Sequence, residues 1–97
     1  MSGGVHQTAT EHNMHPLNFP TLLRIEAARN LTGDTRSTFY AKSAAGLMPR
    51  PIKIGPRAAA VPAHEIAAVN TARIAGKGDA DIRALVSRLH AERTAGA

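Results

Sequence analysis

The sequence predicts a mainly helical domain carrying one small β-hairpin. Three observations lead there. Apolar residues recur at helical spacing in four stretches, each closed by a glycine or a short polar break. One stretch, from Pro49 to Val61, is instead rich in breakers and alternates over Pro51-Ile52-Lys53-Ile54. The chain has 97 residues, enough for one domain with a modest core.

Residues 1–20 hold Gly3-Gly4, His6, His12, His15, Pro16 and Pro20, the composition of a flexible tail. They carry no apolar run of the secretory type. Thr21 to Arg24 can add a short edge strand. Ile25 to Leu31 reads as a helix, with Ile25, Ala28 and Leu31 on one face. Thr32-Gly33-Asp34 breaks it, since glycine accepts the left-handed conformation of a helix end. Thr35 then stands as an N-cap, its hydroxyl placed to accept from a free amide one turn on. The helix it opens runs from Arg36 to about Ala45, and Gly46 ends it. Two helices around a tight glycine-containing turn have helix-turn-helix spacing.

Pro49-Arg50-Pro51 forces extended backbone. A first strand over Pro51–Ile54 and a second over Arg57–Val61, joined at Gly55-Pro56, make a hairpin with Lys53 and Arg57 at its tip. Pro62 suits the first turn of a third helix, which runs to about Ala75 with Ile66, Val69 and Ile74 as its larger apolar residues. Gly76-Lys77-Gly78 interrupts. Asp79 caps a fourth helix to about Arg93, and Asp81 sits well near its positive end. Ile82, Leu85, Val86 and Leu89 form an amphipathic stripe at i, i+3, i+4 and i+7. The organisation expected is a tail over 1–20, a winged helix-turn-helix over 21–75, and a C-terminal amphipathic helix and tail over 76–97.

Composition narrows the function. Without cysteine there is no disulfide, thiol nucleophile or thiolate metal site. No stretch approaches the roughly 20 apolar residues of a membrane helix. The formal net charge is +5, and its placement is more telling than its size. Arg24, Arg29, Arg36, Lys42, Arg50, Lys53 and Arg57 are opposed in their own segment only by Glu26 and Asp34, while charges elsewhere cancel. A basic field concentrated in one third of a chain points to a polyanion. Phe19, Phe39 and Tyr40 are the only aromatics, too few for a base-stacking platform, so duplex DNA is the expected partner.

The candidate contacts follow from the helix-turn-helix reading. The first turn of the second helix meets base edges in the major groove. Arg36 can pair bidentately with guanine, and Thr35, Ser37 and Thr38 can bond bases or phosphates. Phe39 is expected to face inward. Tyr40 can reach a phosphate, and Lys42 extends the contact row. Arg50, Lys53 and Arg57 give the hairpin the basic character of a wing, which lies along the backbone or enters the minor groove. The stripe Ile82, Leu85, Val86 and Leu89 is read either as core or as a surface for another protein, and is the protein-interaction candidate. The tail histidines make a poor metal site without a rigid scaffold. His64-Glu65 reads as an ordinary helix start, and His90 as surface. No metal, cofactor or catalytic set is expected, and the chain is read as a non-enzyme.

Thr35-Arg36-Ser37-Thr38-Phe39-Tyr40, then Gly46, then Met48-Pro49-Arg50-Pro51-Ile52-Lys53-Ile54-Gly55-Pro56-Arg57-Ala58 resembles the AlpA-like phage regulator and excisionase family, whose fold is similar to the MerR-type winged helix. The resemblance extends from about Leu22 into the C-terminal helix. Where the family often has a tryptophan after the second wing strand, this chain has Val61. The resemblance implies a DNA-binding regulator of a mobile element, acting as transcription regulator or as recombination directionality factor beside an integrase of the tyrosine-recombinase type. It implies Arg36, Ser37, Thr38 and Tyr40 as recognition-helix contacts and Arg50, Lys53 and Arg57 as wing contacts. A nucleoid-associated place in a bacterial cytoplasm and self-association on DNA go with that expectation. The alternative is a protein-interaction adaptor that uses the C-terminal helix and binds DNA without sequence preference.

Overall fold

A computed structural model describes residues 20–95; the expected tail over 1–20, with His6, His12 and His15, lies outside them apart from Pro20. In chain order the elements are β1 (Leu22–Arg24), α1 (Ile25–Thr32), α2 (Arg36–Ala44), β2 (Ile52–Gly55), β3 (Ala58–Pro62), α3 (Ala63–Ile74) and α4 (Asp79–Ala95). The described chain is thus mainly helical with a small antiparallel sheet, ordered β1-β3-β2.

The hairpin acquires a third strand. β1 pairs with β3 through Leu22–Pro62, Leu23–Val61 and Arg24–Ala60, and β2 pairs with it from the other side through Ile52–Ala60, Lys53–Ala59 and Gly55–Ala58. The connection is shifted by one residue from the expected position: Pro56 and Arg57 form the turn, and the second strand begins at Ala58. Proline lacks an N–H for the ladder and its fixed φ suits the first turn position. It cannot take the positive φ of the favoured two-residue hairpin turns, and the ladder shifts register between Lys53 and Gly55, leaving Ile54 as a bulge.

The helix boundaries have local causes. Gly33 is left-handed at φ 79° and its N–H returns to the Arg29 carbonyl, closing α1. Thr35 Oγ1 accepts from the Thr38 amide at 3.1 Å, the expected N-cap of α2. After α2, Gly46 takes φ 80° and the Leu47 amide bonds the Lys42 carbonyl at 2.8 Å, a six-to-one closure. Pro62 is the last residue of β3 rather than the first of the helix; α3 starts at Ala63. Asp79 is the first residue of α4 rather than its cap. The Gly78 carbonyl accepts from the Ile82 amide, and the Asp79 carboxylate pairs with Arg73 at 3.1 Å.

The core joins every helix to the sheet: Ile25 and Ala28 from α1, Phe39 from α2, Met48, Val61 from β3, Ile66 and Val69 from α3, and Ile82, Val86 and Leu89 from α4. Leu85 packs against it, partly buried. This corrects the protein-interaction candidate. The stripe Ile82, Leu85, Val86 and Leu89 is spent on the chain's own interior, because three short helices and a small sheet bury too little without it. The expected unit over 21–75 therefore shares its core with the helix that follows. Leu31, expected on one face with Ile25 and Ala28, and Ile74 face water: both lie in the last turn of their helices and are 59% and 87% exposed.

Among the described residues, one charged residue is buried outright. Glu65, at the start of α3, is 0% exposed. Arg93 meets it with two bonds, Nε to Oε2 at 2.9 Å and Nη2 to Oε1 at 2.6 Å. The same Nη2 donates to the Arg50 carbonyl at 2.8 Å. A buried carboxylate satisfied in this way is tolerable; alone it would not be.

Candidate nucleic-acid interface

The basic residues are brought together by the strand pairing and the tight turn before α2. β1 leads directly into α1, so Arg24 at its end stands beside Ala60 of β3 and hence beside the hairpin. The turn Thr32-Gly33-Asp34 swings α2 so that its first turn opens toward the same side. Between them lies an open groove of about 380 Å³, lined by Arg24, Glu26, Arg36, Tyr40, Lys53 and Arg57 over a floor that includes Ile25, Pro51 and Ala59. Four cations thus surround one hollow that contains a single carboxylate.

Of the residues expected on α2, Arg36, Ser37 and Thr38 are exposed at its N-terminal turn. Arg36 holds its guanidinium 5.4 Å from the Tyr40 ring centroid, within cation–π range. Tyr40 in turn meets buried Phe39 edge-on, with ring centroids 6.2 Å apart. Phe39 is completely buried, as expected. Thr35 is exposed, and its hydroxyl both caps the helix and bonds the Thr38 hydroxyl at 2.9 Å. Lys42 stands apart from the groove lining. It pairs with Asp34 at 2.9 Å, and Asp34 also accepts from the Thr32 hydroxyl at 2.8 Å. Lys42 therefore ties α2 to the turn that precedes it.

On the hairpin, Lys53 and Arg57 are exposed and both border the groove. Arg50 is exposed but lies off it, held from α4. Its amide donates to His90 Nε2 at 3.0 Å, and its guanidinium Nη1 lies 3.4 Å from Nδ1. A neutral imidazole accepting at Nε2 carries its proton on Nδ1. Partial burial holds the His90 pKa below the ordinary imidazole range, and the nearby Arg93 and Arg50 charges push the same way against the opposing influence of Glu65. His90 is thus half-buried and structural rather than mere surface. Its neighbour along α4, Arg83, donates from Nε to the Ala45 carbonyl at 3.0 Å, satisfying a free acceptor at the C-terminal end of α2.

Sequence reasoning counted Arg24 and Glu26 only as charges. The expected edge strand over Thr21 to Arg24 was the available signal for Arg24, because a strand there that pairs with the hairpin carries its last residue to it. No local pattern marks Glu26. Among the described residues, no helix is long and apolar enough to cross a membrane. No family model, no curated protein and no solved structure matches this chain.

Proposed function

We propose that this chain is a sequence-specific duplex-DNA-binding protein of a mobile genetic element, a winged helix-turn-helix acting as excisionase, transcription regulator or both. The observation that carries the reading is the convergence of Arg24, Arg36, Lys53 and Arg57 on one open groove between the exposed first turn of α2 and the hairpin. A B-form major groove is about 12 Å wide and admits one helix. In this reading α2 enters it by its N-terminal end, with Arg36 on a guanine edge and Ser37 and Thr38 on bases or phosphates. The hairpin lies against the backbone as the wing, where Lys53 and Arg57 neutralise phosphates that position the protein. Arg24 supplies a third such contact. An integrase and further copies bound alongside are the partners this reading expects, and no chemistry is assigned to the chain itself. The adaptor reading rested on the α4 stripe, whose burial removes the surface it needed.

The test begins with selection of preferred duplexes from a pool with a randomised centre, followed by titration of the full chain into the best-enriched duplex and a scrambled one. Sequence preference is expected to survive at physiological salt. Arg36→Ala should cost roughly 1–3 kcal/mol on the selected duplex and little on the scrambled one. Lys53→Ala or Arg57→Ala should weaken both about equally and flatten the salt dependence by about one phosphate each. Selection without enrichment, with weak binding that disappears on adding salt, refutes sequence reading.

A further inference from the structure

We infer that Glu26 is a positioning residue for base reading: its carboxylate holds the Arg36 guanidinium in the groove, so that Arg36 meets base edges instead of drifting to the nearest phosphate. This rests on the DNA-reading function proposed above. It concerns the one acidic side chain lining an otherwise cationic groove.

The carboxylate is anchored from behind. Its Oε1 accepts from Arg29 Nη2 at 2.7 Å. Arg29 is fixed in turn by donating Nη1 to the Asp34 carbonyl at 3.2 Å, within the turn between α1 and α2. Oε2 then faces Arg36 Nη1 at 3.8 Å, beyond hydrogen-bond length but inside the range of Coulomb attraction. Arg36 also stands 5.4 Å from the Tyr40 ring centroid, a ring itself set against buried Phe39. The guanidinium is therefore within reach of both an anchored carboxylate and an aromatic ring. Both Arg36 and Glu26 side chains are 60% exposed, so in the free protein this attraction is weak and contributes little to folding. Against DNA, water leaves and the same attraction strengthens. A carboxylate beside phosphates also repels them, which costs affinity on every sequence. Such a residue trades general affinity for discrimination. An acidic residue in the first turn of α1 would also favour that helix's positive end. That structural role has no bearing on which base is chosen, which is how the two are separated.

The experiment uses the full chain as wild type, Glu26→Gln, Arg36→Ala and the double variant, each titrated into the selected and the scrambled duplex over a range of salt. Thermal unfolding of each variant checks the fold. Glu26→Gln should bind the scrambled duplex roughly two- to fivefold more tightly and steepen its salt dependence by about one counterion, as Arg36 is released to a phosphate. The preference for the selected duplex should fall roughly three- to tenfold, part of what one bidentate arginine carries. In the double variant the preference should equal that of Arg36→Ala alone, because Glu26 acts through Arg36. Tighter binding to both duplexes by the same factor overturns the inference, since Glu26 would then be a repulsive charge only. So does additive loss in the double variant, which would make Glu26 an independent base contact, or a preference unchanged by Glu26→Gln. Absence of any preference in the wild-type chain overturns the DNA-reading function itself and this inference with it.

Discussion

Replacing Arg93 with alanine should bring the protein close to unfolding, although Arg93 lies in the last helix and far along the chain from its partners. The magnitude follows from what is left behind. Glu65 is 0% exposed, and both bonds to its carboxylate that the structure shows come from Arg93, at 2.9 and 2.6 Å. Truncation strands a buried carboxylate and also frees the Arg50 carbonyl, which Arg93 holds at 2.8 Å. Breaking a buried pair from one side costs about 3–5 kcal/mol. A chain of this size has roughly 5–15 kcal/mol in total. At roughly 4–8 °C per kcal/mol for a small domain, the melting midpoint should drop on the order of 12–40 °C. Thermal and urea unfolding followed by helical circular dichroism measure this directly. The double variant Glu65→Gln/Arg93→Ala sharpens the test. It leaves a neutral amide in place of a charge, so its cost should fall to about 1–3 kcal/mol, making it more stable than Arg93→Ala alone. A loss under about 1 kcal/mol for Arg93→Ala would mean that the pair behaves as an exposed one, and would refute the account of Glu65 as a buried charge held by α4.

Three further outcomes are expected. Thr35→Ala should cost about 0.5–2 kcal/mol by removing the cap on the Thr38 amide, with Thr35→Ser recovering most of it in the same urea titration. Ile82→Ala should cost about 2–5 kcal/mol as a large-to-small change at a fully buried site, and removal of 79–97 should leave the remainder unfolded by circular dichroism; a folded remainder would restore the separate C-terminal unit that the sequence suggests. Stability should also decline below about pH 6.5: the folded His90 pKa is lowered, so the unfolded chain binds the proton first and stability is lost as pH falls from the unfolded value through the folded one. His90→Gln, which keeps an acceptor for the Arg50 amide, should flatten that decline when urea midpoints are compared at pH 5.5 and 7.5.

What could be read in advance was what neighbours along the chain decide. Gly33, Thr35 and Gly46 are local statements about helix ends, and each does what its chemistry suggests. The hairpin was legible for the same reason, except that Pro56 displaced its turn by one residue. The α4 stripe was legible as a pattern, but a pattern does not say which surface covers it; the small size of the remaining core decides that. The long-range polar pairs left no local trace. Glu65 and Arg93 are 28 positions apart, and each alone reads as an ordinary surface charge. Lys42 shows a local pattern meeting a partner that the pattern did not foresee. Helical spacing from Thr38 put it in the contact row, whereas Asp34, folded back by Gly33, binds it. The candidate groove was half legible. The excess of basic residues between Arg24 and Arg57 is plain in the sequence, but only the folded chain sorts them: the β1–β3 pairing and the turn before α2 bring Arg24, Arg36, Lys53 and Arg57 to the groove, while the Asp34 turn takes Arg29 and Lys42 and α4 takes Arg50.

That sorting gives α4 a meaning for function that its buried stripe alone does not. Arg83 fixes the C-terminal end of α2 through the Ala45 carbonyl. His90 and Arg93 fix the backbone of Arg50, two residues before β2 begins. The two arms of the groove, one helix and one hairpin, are thus held by the same rigid element from behind, with none of these three side chains lining the groove. A binding surface made of two independently mobile arms would lose their freedom each time it met a ligand, and that loss subtracts from affinity. Here the arms are ordered when the protein folds. On the proposed DNA-reading function, the consequence is that weakening α4 should harm binding even where every groove residue is intact. Because the tie at Arg50 includes His90, the same decline in pH that weakens the fold should loosen the hairpin first.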